Sequence, residues 1–81
     1  MSQVNVRFFA AAREAFGTKE LAAEAQTLEG LITSLTEGVD EDAETVISRS
    51  SFLINSIAAT DRGASLAEGD TVDVLPPFAG G

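Results

Sequence analysis

Apolar residues alternate with other residues near both ends of the chain. Val4, Val6 and Phe8 are spaced two apart at the start, and Val72 and Val74 are spaced two apart near the end. A period of two is that of a β-strand with one face in a core. Two strands are therefore predicted, with these five side chains inward, and we expect them to be parallel neighbours at the centre of one sheet.

The middle of the chain changes to helical spacing. Apolar residues at i, i+3, i+4 and i+7 predict the main helix: Leu28, Leu31, Ile32 and Leu35. Thr27 is expected to cap it and Gly38 to end it. A shorter helical piece is expected from Asp40, with three apolar residues inward: Ala43, Val46 and Ile47.

Shorter segments complete the predicted fold. A helical turn is expected over residues 10–16, and further strands over 19–25, 51–55 and 57–59. This order of elements indicates an α+β fold in which one mixed sheet of four or five strands packs on one main helix. The length allows one domain.

Composition excludes several kinds of chemistry. The chain has no Cys and no His, so its own side chains offer no thiol catalysis, Ser-His-Asp triad or zinc site. The acidic run of residues 40–44 lacks the glycine and final glutamate of a calcium loop, and no metal site is expected. A net charge of −8 argues against nucleic acid or an anionic membrane as partner and suits a basic protein. No signal peptide or membrane span is indicated, so the expected location is the cytoplasm.

The last seven residues carry the most specific signal. Pro76 and Pro77 follow the final strand, remove two backbone donors and keep the chain extended. The predicted organisation is a folded domain over 1–77 and a flexible, extended tail over 78–81. Such a tail could thread a narrow channel in a partner and present the main-chain carboxylate of Gly81 as the reactive group. A frayed end is the other interpretation, but the diproline upstream of Gly-Gly favours a function. The residues expected to enter the partner are Phe78, Ala79, Gly80 and Gly81.

A docking surface is predicted beside this tail. Alternation places Phe9 and Leu75 on the face of the sheet opposite the core, close to the start of the tail. An exposed apolar pair at that place suits partner docking. Ile57 could extend the surface, although its register is open, and Arg13 could meet a partner carboxylate or have a structural role.

Three segments resemble one known family. They are residues 8–14 (FFAAARE), Asn55 after a strand, and residues 69–81 (GDTVDVLPPFAGG). Together they resemble the small subunit of molybdopterin synthase, a ubiquitin-like β-grasp sulfur carrier of the MoaD/ThiS type. The resemblance spans nearly the whole chain, with residues 18–50 matching only in pattern.

The resemblance implies a two-stage chemistry at Gly81. A partner similar to ubiquitin-activating enzymes would adenylate the carboxylate with ATP, and a sulfur donor protein would convert it to a thiocarboxylate. The tail would then enter the large catalytic subunit, in a heterotetramer of two small and two large subunits, and give sulfur to a cyclic pyranopterin precursor. This carrier would bind no cofactor directly. Whether it counts as an enzyme is left open, since it brings no catalytic side chain but would be the sulfur-donating subunit of a sulfurtransferase.

Two other functions are consistent with the sequence. One is a ubiquitin-like protein modifier, or a sulfur carrier for another pathway such as thiamine biosynthesis, that uses the same Gly-Gly end. The other is a β-grasp interaction module whose tail has no chemistry.

Overall fold

The computed structural model describes residues 2–77, which form five strands and three helices. In chain order these are β1 (Ser2–Phe8), α1 (Ala11–Phe16), β2 (Glu20–Ala25), α2 (Leu28–Thr36), α3 (Glu41–Arg49), β3 (Ser51–Ile54), β4 (Ile57–Ala58) and β5 (Thr71–Leu75). Each predicted strand and helix is present, with ends that differ by one or two residues.

The five strands form one mixed sheet in the order β2-β1-β5-β3-β4. β1 and β5 are parallel, with Val6 opposite Val72 and Phe8 opposite Val74. The other neighbouring pairs are antiparallel. The expectation of a central parallel pair made of the first and last strands is therefore confirmed.

The core lies between the sheet and the helices. Val6, Val72 and Val74 are fully buried, and the Phe8 ring stacks on Phe16 with centroids 4.7 Å apart. The helices add buried apolar side chains from one face each, among them Leu28, Leu31, Leu35, Ala43 and Ile47. The inward faces predicted from periodicity are confirmed.

The two longest helices, the predicted main helix α2 and the second piece α3, are both capped at their first turn. Thr27 Oγ1 accepts from the Gly30 N–H at 3.1 Å at the start of α2, and Asp40 Oδ1 accepts from the Ala43 N–H at 2.9 Å at the start of α3. Both helices have nine residues. The expectation of a shorter second piece underestimated α3, because its cap and acidic first turn support a full helix. α2 ends at Thr36, before the predicted stop at Gly38.

Asn55 joins the β3–β4 turn to the start of β5. Asn55 and Ser56 both have positive φ, 51° and 70°, as a two-residue hairpin turn requires. The Asn55 side chain accepts from the Thr71 N–H and donates to Asp70 Oδ1, each at 2.9 Å. The other oxygen of Asp70 accepts from the Ala67 N–H at 2.8 Å. The carboxylate thus holds two loops together.

Acid is expected to weaken this junction. The Ala67 N–H, and after it the Asn55 amide, lower the pKa of Asp70. The stability they provide is fully present above the unfolded-state pKa of about 3.9 and is lost as the pH falls through the lower folded-state value. We expect Asp70→Asn to lower the unfolding temperature at pH 7 and to reduce its further fall on acidification, measured by circular dichroism. Glu24→Gln, which changes an exposed acid of β2 outside the junction, is the control, and an unchanged acid response in Asp70→Asn would contradict the assignment.

Candidate functional site

The two central strands end at the same edge of the sheet. Because β1 and β5 are parallel, Phe8 and Val74 lie side by side, and the Phe9 N–H donates to the Val74 carbonyl at 3.2 Å. Pro76 and Pro77 continue from this edge. The sequence predictions for Phe78, Ala79, Gly80 and Gly81 lie outside the described residues.

An apolar groove of about 540 Å³ opens beside the place where the chain leaves the sheet. It is lined by Phe9, Ala10, Ala11, Arg49, Ser51, Leu75, Pro76 and Pro77. The structure therefore brings Phe9 and Leu75 together, as alternation predicted, and adds the two prolines to the same wall. A concave apolar site of this size can hold a side chain of a partner protein.

Arg49 and Ser51 are members of this groove that sequence analysis missed. Ser51 lies opposite Leu75 in the antiparallel β3–β5 pair, and Arg49 is the last residue of α3. The missing information was the pairing of β3 with β5. Because α3 ends two residues before Ser51, which lies opposite Leu75, the end of α3 lies close to the start of the tail.

A charged pair lies next to Phe9 on the open face of the sheet. Arg7 donates to both carboxylate oxygens of Asp73, at 2.6 and 2.9 Å, and its guanidinium lies 5.6 Å from the centroid of the Phe9 ring. The Asp73 side chain is only 6% exposed, against 45% for Arg7. Arg7 therefore covers an acidic side chain on the open face of the sheet. Arg7 and Asp73 lie directly opposite each other on β1 and β5, and this position allows the bidentate ion pair to form.

Arg13 and Ile57 lie apart from the floor of the groove. Arg13 is exposed on α1 and lines a shallow depression next to the groove together with Ala10 and Ala11. Ile57 is 72% exposed and pairs with Ile54, which itself pairs with Val72. Directly opposed side chains share a face, so the register places Ile57 on the helix side and not beside Leu75.

Residues 2–77 contain neither a metal site nor a membrane-spanning helix. No group of three acidic side chains in this region is arranged to hold a metal ion. No helix in the same region is long and apolar enough to cross a membrane.

Comparison with known sequences identifies the family. The sequence profile of the ThiS family matches residues 6–81. The chain belongs to the ThiS family. No curated protein sequence matches it, but solved structures do.

Three solved structures show the range of proteins that share this ThiS-family fold. Subunit 1 in the complex of subunits 1 and 2 of molybdopterin-converting factor from Helicobacter pylori is 25% identical, with a TM-score of 0.75, and the match covers 98% of this chain and 99% of that one. The small archaeal modifier protein 1 from Methanosarcina acetivorans is 30% identical, with a TM-score of 0.77 and coverages of 100% and 98%. The protein HVO 2177 from Haloferax volcanii is 30% identical, with a TM-score of 0.81 and coverages of 99% and 87%.

The comparisons confirm the ubiquitin-like β-grasp fold and the resemblance to MoaD/ThiS-type carriers. This ThiS-family chain is one of a group that includes sulfur carriers and ubiquitin-like modifiers.

Proposed function

We propose that this protein is the sulfur carrier subunit of molybdopterin synthase. The observation that carries the proposal is the site where the tail begins: β5 lies at the centre of the sheet, ends beside an apolar groove and continues into Pro76 and Pro77. Four residues, 76–79, separate the end of β5 from the Gly-Gly sequence. The structure of the Helicobacter subunit in complex with a second subunit supports a larger catalytic partner.

The proposed reaction takes place at the carboxylate of Gly81. A carboxylate oxygen attacks the α-phosphorus of ATP on the activating enzyme, which releases pyrophosphate and leaves an acyl-adenylate. A sulfur donor protein then delivers sulfur at the oxidation level of hydrosulfide (HS⁻), a C–S bond forms at the carbonyl carbon, and AMP departs with the electrons of the broken C–O bond. The thiocarboxylate sulfur then displaces an oxygen leaving group from a carbon of a cyclic pyranopterin precursor bound by the large subunit. Water cleaves the resulting thioester, which leaves the sulfur on the precursor and restores the Gly81 carboxylate. Two such transfers supply the dithiolene sulfurs.

This division of labour fits a chain without Cys or His. ATP belongs to the activating enzyme, and the catalytic side chains belong to the partners. The carrier provides a rigid sheet, the groove and a tail narrow enough to thread an active site. A cytoplasmic protein in a heterotetramer of two small and two large subunits is the proposed setting.

Intact-mass analysis tests the proposal directly. The protein is produced together with the activating enzyme and the sulfur donor protein of the same organism, and its mass is compared with that of protein produced alone. The expected change is the replacement of one oxygen by one sulfur at Gly81, located by fragmentation of the C-terminal peptide. An unmodified mass with an active enzyme pair would overturn the proposal. Conversion of the pyranopterin precursor by the loaded carrier and the large subunit then separates this pathway from thiamine synthesis.

Protein modification is the second candidate. The 30% identity to a small archaeal modifier protein over the whole chain favours it. Isopeptide bonds between Gly81 and lysines of other proteins, sought by mass spectrometry of cell extracts, would support this function. If such isopeptide bonds are found and no thiocarboxylate form of the protein is detected, the sulfur carrier function is excluded.

The groove should be needed for docking. Phe9 and Leu75 are half-buried on its wall, so Phe9→Asp or Leu75→Asp places a charge against the partner without removing a core side chain. We expect the dissociation constant for the large subunit to rise by roughly 30-fold or more, the size expected for a central interface residue. Calorimetric titration measures it.

The control for docking is Thr33→Asp, an exposed position on α2 that does not line the groove. Thermal unfolding of all three variants checks that each is folded. Equal affinity of the groove variants and the wild type would disprove the docking surface.

A further inference from the structure

The wall of the groove is made in part by the segment that leads into the tail. Pro76 and Pro77 line the groove together with Phe9 and Leu75. The next residue along the chain is Phe78. Proline fixes φ at about −65° at both positions before it, so residue 78 starts at the wall in a restricted direction. An aromatic side chain is therefore attached directly beside an apolar groove of about 540 Å³.

Arg49 supplies an exposed positive charge on the same groove. It is the last residue of α3 and lines the groove with the apolar side chains. The one ion pair within residues 2–77 joins Arg7 to Asp73. Arg49 therefore has no carboxylate partner in that range, whereas the proposed reactive group is the carboxylate of Gly81. A guanidinium and a carboxylate can form two parallel hydrogen bonds, so the groove has an apolar part for a ring and a charged part for the terminus of the same tail.

The tail is long enough to bring both groups to the groove. Ser51 lies opposite Leu75 on neighbouring strands, and Arg49 is two residues before Ser51. The Cα atoms of Arg49 and Leu75 are therefore at most about 13 Å apart. The four residues after Pro77 span up to about 14 Å. The terminal carboxylate can thus reach the guanidinium while the aromatic ring lies in the groove.

Direct attachment selects this tail as the occupant in the free protein. A group on a short linker is present at its site at an effective concentration of about 1 mM, well above that of a separate protein in dilute solution. Because Pro76 and Pro77 form part of the wall, only Phe78 has to be ordered for the ring to dock. The gain from burying one ring and the cost of ordering one residue are similar in size, so docked and undocked tails should exchange rapidly.

We infer that the free carrier binds its own tail, with the Phe78 ring in the groove and the Gly81 carboxylate paired with Arg49. The inference rests on the proposed function, which places the reactive group at Gly81 and partner docking at the groove. Because the tail and the partner use one surface, the partner displaces the ring as it docks, and the same event releases the carboxylate. An unbound carrier keeps its reactive group against its own surface.

The experiment compares the free protein with tail variants by NMR. Deletion of residues 78–81 and Phe78→Ala should both shift the amide signals of Ala10, Ala11 and Ser51, which line the groove and are remote from the tail in sequence. The two sets of shifts should have the same direction, because both variants remove the same ring from the groove. Phe78→Tyr keeps the ring and should leave these signals close to those of the wild type.

Variants of Arg49 test the charged contact. Arg49→Gln should shift the amide signals of Gly80 and Gly81, because it removes the partner of the terminal carboxylate. Arg49→Lys should shift them less, because it keeps the charge. High salt should reduce the difference between the wild type and Arg49→Gln, as screening requires.

Two controls exclude an indirect effect. Ala79→Ser changes the tail next to the ring without removing the ring, and it should leave the groove signals unchanged. The amide signals of Gln3 and Glu24, which pair at the far end of β1 and β2, should not move in any variant, and thermal unfolding checks that each variant is folded. If these distant signals move together with the groove signals, the variants alter the fold in general and the inference is wrong.

Three results would contradict the inference. Unchanged groove signals after deletion of residues 78–81 would show that the tail does not occupy the groove. Shifts that grow with protein concentration would show that the tail of a second copy does. Unchanged signals of Gly80 and Gly81 in Arg49→Gln would overturn the ion pair.

These failures are distinguishable from failure of the proposed function. The NMR comparison needs neither the activating enzyme nor the large subunit, whereas the proposed function depends on the thiocarboxylate mass. A wild-type protein that forms the thiocarboxylate but shows no contact between tail and groove overturns this inference alone.

Discussion

Deletion of Gly81 is expected to abolish thiocarboxylate formation and leave the unfolding temperature unchanged. The proposed reaction uses the Gly81 carboxylate, whose reach into the partner is set by the number of residues after β5. Without Gly81 the new carboxylate, on Gly80, stops one residue short, by up to about 3.5 Å. Misplacement of a reacting group by much less than this can cost a factor of about 100 in rate. All five strands and the buried apolar side chains described above lie within residues 2–77, so removal of the last residue is expected to leave the fold intact.

Adenylation, intact mass and thermal unfolding are measured on the same preparation of the truncated protein. Gly81→Ala is the informative companion, because it keeps the carboxylate and the length but adds a β-carbon. If the partner's channel has space only for glycine, the added β-carbon should reduce sulfur transfer. The reduction should be smaller than that caused by the deletion, because the carboxylate stays at the same distance from the sheet. Sulfur transfer by the shortened chain at the wild-type rate would rule out the mechanism.

Sequence periodicity was sufficient to predict the frame that positions this tail. Val6, Phe8, Val72 and Val74 sit where alternation placed them, because a half-buried strand must separate its two faces. The neighbouring positions of β1 and β5 then fixed Phe9 and Leu75 at one edge.

The remaining features depend on contacts that no local pattern encodes. Arg49 reaches the groove because β3 pairs with β5, and the buried Asp73 forms an ion pair with Arg7 from the neighbouring strand. The face on which Ile57 lies depends on the two-residue turn at Asn55 and Ser56, where both φ values are positive. The residue types suggest a turn there, but they do not determine how β3 and β4 pair.

Replacement of Phe8 by alanine is expected to have the largest effect on stability. Phe8 is 1% exposed, and its ring stacks on Phe16 with an interplanar angle of 8°. Truncation of a buried phenylalanine costs about 3–5 kcal/mol. A domain of this length has a total stability of about 4–12 kcal/mol, so one substitution removes a large part of it. The unfolding temperature should fall by more than about 12 °C, measured by calorimetry.

Two variants control for this effect. Phe8→Leu keeps an apolar side chain in the core and should cost clearly less than Phe8→Ala. Ile57→Ala removes a side chain that is 72% exposed and should change stability by less than about 0.5 kcal/mol. A loss below 1 kcal/mol in Phe8→Ala would show that the ring is not part of the core.

Comparison of Phe8→Ala with the Gly81 deletion separates the contribution of the folded domain from that of the reactive carboxylate. Phe8 precedes Phe9, and the end of β1 that it anchors also forms one wall of the groove. Phe8→Ala should therefore lose docking and stability together, and lowering the temperature should restore docking as the folded fraction rises. No such rescue is expected for the Gly81 deletion, because its fold is intact and the missing atoms are those that react.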